Sequence, residues 1–227
     1  MCIGPNNNVL VGTRGGEIVE FVGDKSTVYM RSHFDSELWG LAVHPTRPEM
    51  ITYGRDSMLA VWDMTNRRQK IHTKLEGPGD AVAISNSGSI VAVGMINGTL
   101  QAFNYSENAQ GKLNFKTIKA RRDRKGKAIQ VIKFSPDDSI CAVGGHDSQI
   151  ILYNSAEGFK PIKRIKSHHS TVTHIDFSQD GSAIMSNCTS YEILFHSTGN
   201  GKQVTGGASQ YKNEPWASWS CTLGWPV

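Results

Sequence analysis

A short unit of hydrophobic runs recurs along this chain of 227 residues, and its spacing constrains the fold more than any other feature. Each unit holds three such runs separated by two turns, and the third run ends in an aromatic residue. The residues that close the first and third runs are Val43 and Trp62, Ile84 and Phe103, Phe134 and Tyr153, and Phe177 and Phe195. The two residues of each pair are 19, 19, 19 and 18 positions apart, whereas successive aromatics are 41, 50 and 42 apart. A constant interior with variable joints indicates that strand pairing fixes each unit and that loops join the units.

The runs have the composition of β-strands. Leu38–Val43 and Ser89–Gly94 are typical, because they are short, rich in β-branched or aromatic residues, and bounded by turn-forming residues. A first turn is predicted at 86–88, 136–138 and 179–181. A second turn is predicted six residues before each closing aromatic, at Gly15, Asp56, Asn97, Asp147 and Thr189. Each unit is therefore expected to contain three or four antiparallel strands.

Units of this kind that repeat every 40 to 50 residues or so are typical of the blades of a β-propeller. Val61-Trp62-Asp63 also supplies the tryptophan–aspartate dipeptide that names the WD repeats. The chain is therefore predicted to be an all-β, WD-repeat β-propeller that is incomplete, with about four full four-stranded blades and partial blades at both ends. The expected blades are 1–31 (partial), 32–73, 74–118, 119–165 and 166–205, followed by the first strand of a further blade within 206–227, at Trp216–Cys221.

The resemblance to WD repeats implies a structural role for several polar side chains. In such repeats a His before the first strand, an Asp in the second turn, a Ser or Thr and the Trp form a buried hydrogen-bond network. The residues of this chain that match those positions are His33, Thr52, Asp56 and Trp62, with His168 at the corresponding place before Phe177. Leu75 and Lys125 stand at the His position of other units, so most blades are expected to lack the full network.

Three longer segments resemble one particular family. Val9–Ile18, His33–Pro45 and Pro215–Gly224 are similar, in the same order and at matching spacing, to stretches of the echinoderm microtubule-associated-protein-like (EMAP-like) family. The resemblance implies a tandem pair of propellers, of which this chain would be mainly the second. It further implies a non-enzymatic scaffold without a cofactor that binds tubulin or microtubules and belongs to the cytoplasmic microtubule cytoskeleton.

One basic segment carries the excess positive charge of the chain, whose net charge is +4. Between Lys112 and Lys127 there are eight Lys or Arg residues and one acid. Since the segment falls in the longest joint, we expect an exposed loop that attracts acidic tubulin surfaces over about a Debye length. The candidate partner-binding residues are Lys119, Arg121, Arg122, Arg124, Lys125 and Lys127, and a second cluster in the next joint, Lys160, Lys163, Arg164 and Lys166, is expected to extend them. A solvated loop without a partner is the alternative.

Other classes of function find little support in the sequence. His168, His169 and His174 are close together, but no carboxylate or Cys partner is fixed nearby, so no metal site or catalytic group is expected. The four cysteines form no C-x-x-C pair and are expected to be buried, reduced thiols. The glycine-rich turn at 12–16 joins two strands and opens no helix, so it predicts no phosphate site and no small-molecule substrate.

Nucleic acid and membranes are likewise not expected as partners. The basic clusters lack interleaved aromatic residues for base stacking. No apolar run approaches the roughly 18 residues that span a bilayer. A WD-repeat adaptor for a different protein remains the alternative to a tubulin-binding scaffold, because function lies on the loops and not in the blade pattern. A propeller hydrolase or lyase is the third class.

Overall fold

The computed structural model describes residues 1–3, 8–34, 37–107, 113–121, 123–124 and 126–223. These residues form 19 β-strands and one short helix. The strands are β1 (Cys2–Ile3), β2 (Val9–Gly12), β3 (Glu17–Val22), β4 (Lys25–Arg31), β5 (Leu38–Val43), β6 (Glu49–Gly54), β7 (Met58–Asp63), β8 (Arg68–Lys74), β9 (Gly79–Ile84), β10 (Ile90–Met95), β11 (Leu100–Glu107), β12 (Leu113–Arg121), β13 (Ile129–Phe134), β14 (Ile140–Gly145), β15 (Ile150–Asn154), β16 (Lys160–Ile165), β17 (Val172–Phe177), β18 (Ala183–Cys188) and β19 (Ile193–Ser197), and the helix is α1 (Gly207–Gln210).

The strands form five antiparallel sheets in chain order. Sheets 1 to 4 contain β1–β4, β5–β8, β9–β12 and β13–β16, and sheet 5 contains β17–β19. The first strands β5, β9, β13 and β17 pack side by side, so the sheets radiate from a common inner edge and the fourth strands lie outermost. This arrangement confirms the predicted all-β, incomplete propeller. Sheet 1, expected to be partial, has four strands, although β1 is only two residues long.

The predicted turns occur where the sequence placed them. In sheets 1 to 4, the residue directly after the predicted residue of the second turn has a positive φ. These four residues are Gly16, Ser57, Gly98 and Ser148. Asp56 Oδ1 accepts a hydrogen bond of 3.0 Å from the Met58 N–H, and such local bonds hold the turn. In sheet 5, where the repeat is one residue shorter, the positive φ falls at Tyr191.

The hydrophobic core lies in layers between neighbouring sheets. In β10, Val91 and Val93 pack into the cluster shared with sheet 2, whereas Ala92 packs into the cluster shared with sheet 4. In β15, Ile151 belongs to this second cluster, while Leu152 faces sheet 5. Strands buried on both faces need apolar residues at successive positions, which explains why the second and third runs read as continuous apolar stretches.

Two of the expected joints are instead strands. The 50-residue spacing is absorbed by a lengthened β11–β12 hairpin, in which Leu100 pairs with Arg121, so Lys119 and Arg121 lie in a strand and not in a loop. The second basic cluster is not a joint either, because Lys160, Lys163 and Arg164 lie in β16. The expectation of two basic loops is therefore wrong for these five residues, whereas Lys127 and Lys166 lie outside the strands.

The strand expected at Trp216–Cys221 is also absent from the described residues. Trp216 instead makes an isolated bridge with Ser178, and Asp176 accepts hydrogen bonds from the Ser218 N–H (3.1 Å) and Oγ (2.8 Å). These bonds hold the segment along the free edge of β17, and it opens no new sheet among the described residues. Among all the residues that the structure describes, no helix is long and apolar enough to cross a membrane.

Candidate functional site: blade networks and a basic outer wall

The four polar side chains predicted for the network of sheet 2 lie in contact. His33 Nδ1 is 2.9 Å from Asp56 Oδ2, and His33 Nε2 is 2.8 Å from Thr52 Oγ1. Trp62 Nε1 donates a hydrogen bond of 2.8 Å to the same Thr52 oxygen. Because an indole N–H can only donate, the Thr52 hydroxyl proton is free to point at His33 Nε2. His33 then carries its proton on Nδ1 and donates it in a hydrogen bond to Asp56. This bond connects the segment before β5 to the second turn of sheet 2.

Sheet 5 has a related but different arrangement around His168. His168 Nε2 lies 2.7 Å from Ser186 Oγ, and Nδ1 lies 3.2 Å from Glu192 Oε2. The carboxylate of this turn comes from Glu192 and not from the position six residues before Phe195. The spacing rule missed Glu192 because this acid lies three residues before Phe195 and not six, although it was the only acid of the turn.

In sheet 4 an arginine occupies the place that a histidine has in sheet 2. Arg124 is only 2% exposed, and its guanidinium donates to the Asp147 carboxylate and to the carbonyls of Val143 and Gln149. Burial lowers the pKa of Arg124, and Asp147 opposes that shift. The expectation that Arg124 lies on an exposed loop is therefore wrong, since it is a buried tie between strand and turn.

The other candidate partner-binding residues differ in their surroundings. Lys119 and Lys127 are exposed. Arg121 is half-buried, and its Nε donates a 2.8 Å hydrogen bond to Asp123, which keeps the pKa of that carboxyl below its usual value. Arg122 and Lys125 lie outside the described residues.

The two basic clusters meet beside sheet 4. Lys127, Arg164 and Lys166 line a groove of about 460 Å³ together with the buried Arg124–Asp147 pair. Arg164 Nη2 also donates a 3.5 Å hydrogen bond to the Asp123 carbonyl oxygen. The predicted extension of one cluster by the other is thus seen in space, although through strand β16 and not through a loop.

The outermost strands share a larger charge pattern that sequence reasoning missed. Strands β4, β8, β12 and β16 contain eleven of the 24 Lys and Arg residues of the chain and no Asp or Glu. We call these four strands the basic outer wall. Cations on an outer strand discourage unwanted pairing with other chains, and together they also form an extended positive surface. The signal was present in the sequence but becomes visible only when each fourth strand is assigned.

The cysteines only partly follow the sequence prediction. Cys141, Cys188 and Cys221 are buried free thiols, whereas Cys2 is exposed. Burial raises the pKa of the Cys221 thiol to about 12, so it is protonated at neutral pH. Cys188 lies in the turn region of sheet 5 beside Glu192, with 3.0 Å between Sγ and Oε2. The expectation that no carboxylate or Cys is fixed near His168 is therefore wrong.

Comparison with known proteins decides the family. A family described as the echinoderm microtubule-associated protein second beta-propeller matches residues 38–227. The chain belongs to this EMAP-like family. It is 30% identical to Echinoderm microtubule-associated protein-like 2 of Homo sapiens over 228 residues, which cover 99% of the chain and 34% of the relative. It is also 30% identical to the 77 kDa echinoderm microtubule-associated protein of Lytechinus variegatus over 237 residues, which cover 100% of the chain and 33% of the relative.

The matched region of this EMAP-like chain begins at Leu38, the first residue of β5. Sheets 2 to 5 therefore correspond to the second propeller of the family, and sheet 1 lies outside the matched residues. The chain spans about a third of the length of these two curated relatives. The resemblance read from the three sequence segments is confirmed.

Proposed function

We propose that this EMAP-like chain is a rigid protein-binding scaffold that attracts acidic tubulin through its basic outer wall and performs no chemistry of its own. The observation that carries the proposal is the segregation of eleven cations and no acids onto the four outermost strands. The names of its relatives, which are microtubule-associated proteins, support tubulin as the partner. A site of action on the cytoplasmic microtubule cytoskeleton follows from the same proposal.

Rigidity is what makes an outer wall of this kind useful for binding. The inner three strands of sheets 3 and 4 are held by fully buried side chains such as Val93 and Ile151, so the fourth strands keep a fixed spacing. Exposed charges act over a Debye length of about 8 Å at physiological ionic strength. Several cations at fixed positions therefore accelerate encounter with an acidic surface, and this effect weakens as salt is added.

The groove beside sheet 4, which borders the wall at Arg164 of β16, is the part of this surface that we expect to contact tubulin. Lys163, Arg164 and Lys166 are exposed, and Lys127 also lines the groove. Lys119 stands on the neighbouring outer strand β12 and extends the same surface. Arg124 supports the groove from beneath and is not expected to touch a partner.

The test is charge reversal at two places with the same change in net charge. The first variant carries Lys163→Glu, Arg164→Glu and Lys166→Glu. The matched control carries Arg14→Glu, Lys202→Glu and Lys212→Glu, three exposed cations that lie outside the outer strands. We expect the first variant to bind purified αβ-tubulin at least tenfold more weakly in co-elution and anisotropy titrations, while the control stays within about twofold of the wild type.

Any of three results would contradict the proposal. Equal weakening by both variants would show that only net charge matters. Unchanged binding by both would place the contact elsewhere on the propeller. Failure of the wild-type chain to bind tubulin at all would favour an adaptor for a different protein.

A further inference from the structure

The second turn of sheet 5 gathers more metal-binding side chains than any other turn in the described residues. Glu192 Oε2 lies 3.2 Å from His168 Nδ1 and 3.0 Å from Cys188 Sγ, and it accepts a 3.0 Å hydrogen bond from the His169 N–H. The imidazole Nδ1 of His169 contacts the other oxygen, Oε1. One imidazole and one thiol thus meet at Glu192 Oε2, and a second imidazole contacts the other oxygen of the same carboxylate.

The corresponding place in sheet 2 lacks two of these groups. His33 corresponds to His168, but Phe34 stands where sheet 5 has His169, and Gly54 stands where it has Cys188. Both of the additional groups in sheet 5 are metal ligands by type. The network that locks sheet 2 needs neither of them, so a requirement for blade locking does not account for their presence.

The hydrogen-bond partners of His168 also differ from those of His33. In sheet 2, the Trp62 N–H donates to the Thr52 oxygen, so the Thr52 hydroxyl proton can point at His33 Nε2. In sheet 5 the aromatic is Phe195, which cannot donate. Ser186 Oγ lies 3.4 Å from the Leu194 carbonyl oxygen, so its hydroxyl can donate there and accept from His168 Nε2–H.

In the tautomer that donates from Nε2 to Ser186, the lone pair of His168 Nδ1 faces a carboxylate oxygen of Glu192. Two acceptors at 3.2 Å repel unless a proton or a cation lies between them. A divalent cation satisfies both groups at once, and the Nε2–H bond to Ser186 is the kind of outer contact that orients a ligating histidine.

We propose that this turn is a zinc site, in which His168 Nδ1, Cys188 Sγ and a Glu192 oxygen bind Zn²⁺ and His169 Nδ1 supplies the fourth ligand. The ligand atoms of His168, Cys188 and Glu192 lie within 4.8 Å of one another. Zinc bonds of about 2.0 to 2.3 Å in a tetrahedral site require ligand atoms roughly 3.3 to 3.8 Å apart, so small side-chain adjustments suffice. Cys188 binds as a thiolate and releases its proton to solvent. The ion would lock the turn of sheet 5, as the full hydrogen-bond network locks sheet 2.

The test is titration of the metal-free, reduced chain with Co²⁺, a spectroscopic substitute for Zn²⁺. We expect one equivalent to bind, with the intense visible bands of tetrahedral Co²⁺ and a thiolate charge-transfer band, and Zn²⁺ to displace it. Cys188→Ser should abolish the charge-transfer band, and Glu192→Gln should weaken binding at least tenfold. The matched controls Cys2→Ser and His146→Gln alter an exposed thiol and an exposed imidazole elsewhere, and both should bind like the wild type.

His169→Gln keeps the test decisive if the buried Cys188→Ser variant does not fold. The His169 side chain is 82% exposed, so its replacement should preserve the fold, retain the charge-transfer band and weaken Co²⁺ binding about tenfold. Circular dichroism checks the fold of each variant. Absence of binding by the wild type, or a wild-type spectrum in folded Cys188→Ser, would overturn the proposal and leave a hydrogen-bond network like that of sheet 2. Unchanged affinity in His169→Gln would overturn its role as the fourth ligand.

Discussion

At the scale of single residues, one hydroxyl group links the beginning and the end of sheet 2. Thr52 Oγ1 accepts from Trp62 Nε1 and contacts His33 Nε2, both at 2.8 Å. The Trp62 N–H is the donor that orients the hydroxyl. Removing it while keeping an aromatic ring should therefore disturb the network and leave most of the packing in place.

Replacing Trp62 with Phe should lower the free energy of unfolding by about 1 to 2 kcal/mol, because a buried hydrogen bond is lost and its acceptor is left with fewer partners. Urea denaturation, followed by circular dichroism, measures the change. Trp39→Phe is the matched control, since Trp39 is exposed and its Nε1 donates only to the exposed Glu37. Equal losses for the two variants would mean that the network does not stabilise sheet 2.

Arg124 provides a second residue-scale prediction. Its removal by Arg124→Ala leaves the Asp147 carboxylate and two carbonyl oxygens without their donor, and breaking a buried pair in this way costs about 3 to 5 kcal/mol. Lys127→Ala, at an exposed cation three residues away, should change the unfolding midpoint in urea very little. A stable Arg124→Ala protein would return Arg124 to the surface role that the sequence suggested.

Most of the residue-level network of sheet 2 could be predicted from the sequence, and that of sheet 4 could not. His33, Thr52, Asp56 and Trp62 match a known pattern of residue types at fixed spacing. Arg124 replaces the histidine with a different chemical group. It also lies one position before Lys125, the residue that the spacing had assigned to the histidine position. A prediction from residue type and spacing fails at a site where both the residue type and its position have changed.

At the scale of elements, a buried carboxylate joins sheets 2 and 3. Glu49 is 2% exposed, accepts a 2.7 Å hydrogen bond from the Tyr105 hydroxyl, and lies 2.6 Å from Lys70 Nζ. Burial would raise the pKa of Glu49, but the bonds from Lys70 and Tyr105 outweigh it, and the pKa is lowered. Because this pKa is lower in the folded chain than in the unfolded one, the carboxylate stabilises the fold above the unfolded value, about 4.3, and that contribution is lost as the pH falls through the folded value.

Glu49→Gln should therefore cost about 1.5 to 3 kcal/mol at pH 7, the usual value for a hydrogen bond to a charged group. The difference between wild type and variant should shrink as the pH falls below about 4.3, because the unfolded chain then binds a proton at Glu49 before the folded chain does. Urea denaturation across this range measures both quantities. A difference that stays constant with pH would show that the charge of Glu49 does not stabilise the packing of sheet 2 on sheet 3.

Strands and turns were largely predictable from the sequence, whereas their lengths and joints were not. The first turns at Gly88, Asp138 and Gly181 have the predicted positive-φ geometry. The spacing of the aromatics could not reveal that β11 and β12 would absorb the longest joint, since extra residues can lengthen a hairpin as easily as a loop. The course of 215–221 depends on Asp176 of β17, a contact about 42 residues distant in sequence that no local pattern encodes.

At the scale of the whole molecule, positive charge increases with distance from the common inner edge of the sheets. Apolar clusters fill the space between sheets, and the cations collect on the outermost strands. Such a distribution makes association with an acidic partner depend on ionic strength. Of the Lys112–Lys127 segment, which the sequence presented as one basic loop, Lys116, Lys119 and Arg121 lie in β12 and are part of this wall.

The central claim, that the basic outer wall binds tubulin, is tested most directly by measuring the affinity of the wild-type chain for αβ-tubulin at increasing salt concentration. Fluorescence anisotropy with labelled chain gives the dissociation constant at each ionic strength. We expect saturable binding at low salt that weakens at least tenfold between about 50 and 200 mM salt, because exposed charges are screened as the Debye length shortens. No binding at low salt, or an affinity that does not change with salt, would contradict the claim.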